Sequence, residues 1–176
     1  MRPTIPVGPW RLAINLEETR EISSGGFRPA DSCTCIWCRN WGAAWQQTLP
    51  TALTTQLHRV CIDPARPSDL YPSTEAGSRF FLRVTFHCVG QVLSGPSLFR
   101  ADPKLGRIRL YEVLAQDPYL SLSIAPESEI GGPPSWAIED PSDLLQVDLR
   151  LEVPWVLEEP RPGVWLPPTG QAHKGA

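Results

Sequence analysis

Three of the five cysteines, Cys33, Cys35 and Cys38, lie in the stretch Asp31-Ser-Cys-Thr-Cys-Ile-Trp-Cys-Arg-Asn-Trp41. Cys33 and Cys35 are two apart, so along an extended segment their sulfurs point the same way. Cys38 follows where the chain can turn into the first turn of a helix. Three thiols can therefore meet at one point, an arrangement that suits a soft metal ion, a redox pair or a structural corner. Zinc takes its ligands as a tetrahedron, and three thiols leave one corner to fill. His87 is the candidate fourth ligand, with Cys88 and His58 as alternatives. His87 and Cys88 are neighbours on a strand, so only one of them can face the site.

Two other readings of the cluster compete with zinc. In the first, the thiols are small buried hydrophobes at a strand-to-helix corner, as free cysteines often are. In the second, Cys35-Ile-Trp-Cys38 is a redox pair at a helix N-terminus, where the dipole lowers a thiol pKa. The strand–helix–strand context of a thioredoxin-like motif is absent from the pattern. Hydrolytic catalysis has little support, because there is no G-x-S-x-G element and the three histidines are far apart. Acidic pairs such as Glu158-Glu159, or Asp148 with Glu152 along one strand face, read as solvated surface. The polar row Arg83, Thr85, His87 resembles the floor of a binding groove, although exposed sheet faces often carry such residues.

The elements that would position these groups follow from periodicity. Trp10, Leu12, Ile14 and Leu16 alternate with polar residues and predict a half-buried strand. Trp37, Trp41 and Trp45 share one face of a helix over 37–48. Pro50 interrupts, and Leu53, Leu57 and Val60 continue with helical spacing. The segment 63–72 reads as a rigid proline loop. Residues 80–89 alternate as a strand that Gly90 ends or kinks, and 107–114 and 119–124 are shorter strands with a turn at Asp117-Pro118. Leu145, Val147, Leu149, Leu151 and Val153 predict a strand packed on one face and wet on the other. Together these give an α+β class: a single domain over residues 1–157, mainly an antiparallel sheet covered by one or two tryptophan-rich helices. A proline-rich, partly disordered tail is expected over 158–176, with Trp136, Trp155 and Trp165 placed to clamp it or, as the second reading, to offer a partner surface.

Composition bounds the function classes. The net charge is −3, which supplies no excess cation for general nucleic-acid binding. Twenty prolines favour short strands and turns over a helical bundle. No stretch matches a signal peptide or a membrane span, so a cytoplasmic setting with reduced thiols and no membrane partner is expected.

The segments resemble a family of small bacterial proteins with no established activity. Its pattern is a CxCxxC cluster followed by basic-Asn-aromatic, here Cys33, Cys35, Cys38, Arg39, Asn40 and Trp41. A later segment matches Asp63, Arg66, Pro67, Asp69, Leu70 and Tyr71, and an aromatic strand matches Phe86, His87 and Gly90. A weaker echo is Val153-Pro-Trp155. Cys61 stands where that family has a small residue and is not counted as a ligand. The resemblance gives weight to the cluster without assigning it a role. The leading expectation is a non-enzymatic binding or accessory module whose cysteine corner holds the N-terminal strand to the helical layer, with or without zinc. A thiol-dependent redox or metal enzyme using Cys35 and Cys38 is the alternative. An immunity- or antitoxin-type protein partner is the third reading.

Overall fold

Residues 2–24, 33–73, 80–130 and 143–162 are described by a computed structural model. The chain opens with a hairpin, β1 (Thr4–Val7) and β2 (Trp10–Ile14). Its two-residue turn places Gly8 at φ +54°, a conformation that costs glycine nothing.

The predicted extension of this strand to Leu16 is corrected here: Leu16–Ser24 is a helix, α1. Asn15 stops the strand, because its Oδ1 accepts from the Glu18 backbone N–H at 3.3 Å and caps the helix. The signal was present as Asn15-x-x-Glu18, a capping pattern that the hydrophobic alternation overrode.

Helices α2 (Ile36–Thr48) and α3 (Thr51–Arg59) follow, separated at Pro50 as the sequence suggests. Just beyond the end of α3, Cys61 adopts φ +60°, a left-handed position that glycine takes most readily.

The segment expected to be a rigid loop holds a strand instead, β3 (Asp69–Ser73). It pairs along the first half of β4 (Phe81–Ser94), so ladder hydrogen bonds override the local proline signals. Strand β4 runs straight through Gly90, where its neighbour changes to β2. A Cβ at Gly90 would collide with the Ala13 carbonyl oxygen, so glycine is what lets the two backbones approach. Next come the small hairpin β5 (Phe99–Asp102) and β6 (Gly106–Arg109), then β7 (Glu112–Gln116) and β8 (Tyr119–Pro126). The turn at Asp117-Pro118 joins β7 to β8 as expected, with a cis peptide. A 3-10 turn, Glu127–Glu129, precedes β9 (Leu144–Glu152).

Among the described residues the main sheet is antiparallel, in the order β1-β2-β4-β9-β8-β7, with β3 beside β4. The α+β class and the mainly antiparallel sheet therefore hold. One face is dry: Leu82, Val84, Phe86 and Cys88 of β4 join Val147 and Leu149 of β9 and Leu122 and Ile124 of β8. Trp41 and Ala44 of α2 and Leu53 and Leu57 of α3 seal it. Of the tryptophan stripe only Trp41 is fully buried; Trp37 and Trp45 pack half-buried at the margin. Helix α3 carries no tryptophan.

Cys88, buried in this core, behaves as a small hydrophobe whose thiol burial pushes up to about 12 from an unfolded value of 9.0. The folded value is the higher one, so the contribution to stability is complete below pH 9 and is lost as pH rises toward 12. Urea unfolding should show stability falling by about 1 kcal/mol per pH unit across that window from this group. Cys88→Val should flatten the slope; an unchanged slope would show that the buried thiol does not set it.

Candidate functional site

The sulfurs of Cys33, Cys35 and Cys38 all lie within 4.8 Å of one another. Local structure brings them together as the spacing suggests. Cys35 is the extended residue before α2, and Cys38 sits in that helix's first turn. No side chain of Cys35 caps the helix, so its thiol is free to face the other two. The helix end adds a partial positive charge beside them, which favours anionic sulfur.

The three thiols are unequal. Cys33 is lowered from the ordinary thiol range by hydrogen bonding to the Cys35 backbone, then by the Cys35 and Cys38 thiols. Cys38 is raised, first by burial and then because its hydrogen bonds and neighbouring charge favour its protonated form. Three sulfurs hydrogen-bonded to one another are an arrangement that a soft cation completes by displacing their protons. All five cysteines are free of disulfides. Tetrahedral zinc with Zn–S of about 2.3 Å sets sulfurs about 3.8 Å apart. The cluster needs to tighten by no more than about an ångström at its widest, within reach of side-chain rotation. The donor set fits.

The residues after the cluster anchor it. Arg39 pairs with Glu159 at 2.6 Å. Asn40, wholly buried, donates to the Pro154 carbonyl and accepts from the Val156 N–H. The Trp41 indole N–H reaches the Pro64 carbonyl at 2.9 Å. Trp37 stacks on Phe80 at 5.0 Å, and both meet Trp155 edge-on. Trp155 thus clamps the segment after β9 to the body as expected; Trp136 and Trp165 lie outside the described residues.

His87 requires a correction. It is not among the residues that gather at the thiols. Its Nε2 lies 3.2 Å from Glu127 Oε2, and both groups are buried. The reason is strand parity. Cys88 takes the dry face, and His87 falls on the opposite one with Arg83 and Thr85. Neither Cys88 nor His58 joins the cluster either.

That opposite face overturns a second expectation. Gln146 and Asp148 of β9 were expected to be wet, yet Asp148 has no exposure and Gln146 is 8% exposed. The chain between β6 and β7 folds over them. Asp148 Oδ2 accepts from Arg83 Nε at 2.8 Å, Arg109 Nη1 at 2.9 Å and Tyr111 Oη at 2.8 Å, while Oδ1 accepts from Thr85. Burial opposes the Arg83 charge, but hydrogen bonding and attraction to Asp148 outweigh it, and the net shift is upward. Arg109 is lowered because burial dominates, with Asp148 offsetting part of it. Tyr111 is raised by burial and then by the Asp148 charge. The row Arg83, Thr85, His87 was visible in the sequence, but its partners on β9 and at 109–111 were not.

No helix among the described residues is long and apolar enough to cross a membrane. No protein-family model matches this chain, and no curated protein and no solved structure matches it significantly.

Proposed function

We propose that Cys33, Cys35 and Cys38 hold a zinc ion, and that the centre serves as a structural corner in a non-enzymatic binding or accessory module. The observation that supports this most is the meeting of three sulfurs within 4.8 Å at a helix N-terminus. Thiolates select soft cations, and zinc is the common structural one. An ion there would tie the chain before α2 to the helix whose next residues grip the segment 154–159 through Arg39, Asn40 and Trp37. Such a corner positions surfaces and needs no reaction.

The alternative is thiol redox chemistry. It draws on the exposed Cys35 and the lowered thiol of Cys33 beside a raised Cys38. Metal content and thiol reactivity of the native protein separate the two. The structural reading expects one zinc per chain by elemental analysis, with the clustered thiols slow to alkylate until a chelator is added. Metal-free protein with a fast-reacting Cys33 or Cys35 would sink it in favour of redox chemistry.

A further inference from the structure

The geometry points to a second site, on the polar sheet face, that binds a small oxyanion through Arg150 and Arg109 beside the Tyr111 ring. Arg150 lies on β9 two residues beyond Asp148, on the same face. Its guanidinium carbon sits 4.1 Å from the centre of the Tyr111 ring, and that of Arg109 sits 5.4 Å from it. Tyr111 is held by its hydrogen bond to Asp148, so both guanidiniums meet a fixed ring.

The two guanidiniums are used unequally. Arg109 spends Nε on Ser123 and Nη1 on Gln146 and Asp148, leaving Nη2 buried without an acceptor. Among the described residues the Arg150 side chain forms no hydrogen bond and no ion pair, and its Nε is likewise buried and unmet. A buried charged donor without an acceptor is costly, so such groups are rare unless something completes them.

Charge selects what completes them. Arg83, Arg109 and Arg150 gather around Asp148, which already accepts from Arg83, Arg109, Tyr111 and Thr85. Glu127 is engaged with His87, and Asp69 lies toward Tyr71 at the margin. Three guanidiniums thus share the one fully buried carboxylate, Asp148, with Glu152 next along β9 on the same face, in a chain whose net charge is −3. Planar guanidinium donors match the oxygens of a phosphate or a carboxylate. Arg83 stands directly opposite Arg150 across the β4–β9 ladder, is about a quarter exposed, and lies over the exposed Tyr71 ring.

The test follows the arginine Nε–Hε resonances of 15N-labelled protein during titration with inorganic phosphate at constant ionic strength, with sodium acetate in parallel. The Arg150 resonance should shift saturably, and Arg150→Gln should weaken the binding about tenfold or more, as loss of a charge-assisted hydrogen bond implies. Arg100→Gln, on the separate β5–β6 hairpin, should leave it unchanged. Phosphate alone saturating the shift assigns a phosphate ligand, and acetate saturating it too assigns a carboxylate. Absence of saturation with either anion would overturn the site, as would an equal response to chloride. If Arg150→Gln fails to fold, Arg150→Lys keeps the charge without the fork and should still weaken phosphate; unaltered affinity there overturns the proposal.

Discussion

Asp148→Asn should lower the stability of the fold by about 3–5 kcal/mol, the range found when one partner of a buried ion pair is removed. The side chain has no exposure, and its carboxylate is the shared acceptor for Arg83, Arg109, Tyr111 and Thr85. Asparagine preserves the shape but removes the charge, and it turns an N–H donor toward groups that are donors themselves. Two guanidiniums are then held in a partly dry face without a counter-charge. For a chain of this size the loss corresponds to a Tm lower by about 6–20 °C. Removing the exposed carboxylate of Glu159, partner of Arg39, should barely move the midpoint, because water screens that pair. Urea unfolding of the two variants side by side checks both statements. A cost for Asp148→Asn as small as that for Glu159→Gln would mean that the face is wet after all. The network should also resist simple charge deletion in pairs. Asp148→Asn combined with Arg83→Met removes both ends of one contact and should cost less than the two single changes added together.

Cys38→Ser is expected to abolish stoichiometric zinc retention if the proposed centre is present. Structural zinc sites are worth about 10–16 kcal/mol in apparent binding energy. Shared among four ligands, that makes one thiolate worth roughly two to three decades of affinity. Cys38 is the sharpest choice because it is half-buried and is the member that stands on the helix itself. Serine there leaves Cys33 and Cys35 on a segment with no regular structure of its own. The same substitution should erase the stabilisation that added zinc gives the wild type, since a ligand that binds only the folded state raises its stability by mass action. Competition with a chromophoric chelator reads the affinity, and a thermal scan with and without zinc reads the linkage. Wild-type protein that gains no stability from zinc would remove the centre from consideration, whatever the variant does.

These two predictions lean on different kinds of information. The thiol cluster was legible because its geometry is local. Two cysteines two apart and a third at a helix start are close wherever the chain goes. The helix that carries Cys38 was equally legible from the spacing of Trp37, Trp41 and Trp45, and the strand β9 from five alternating apolar residues. Local capping was legible but outweighed: Asn15 with Glu18 marks the start of α1, and hydrophobic alternation through Leu16 pointed the other way. The prolines of 63–72 describe a stiff segment correctly at the level of φ, but they do not reveal that β4 offers it a partner edge.

The partner of His87 could not be read from the chain. Alternation assigned it to the polar side of β4, but identifying what stands opposite requires knowing that the 3-10 turn after β8 brings Glu127 there. Asp148 is the same case on a larger scale. Alternation identifies which residues share a sheet face, and it does not say whether the face is covered. By itself the sequence determined the α+β class, the apolar face of the sheet and the meeting of Cys33, Cys35 and Cys38, because each depends on residues near one another in the chain. Only the tertiary structure decided that the second face is covered by Arg109 and Tyr111 and built around one buried carboxylate. Its contacts join residues 37 to 65 positions apart, which no local pattern encodes.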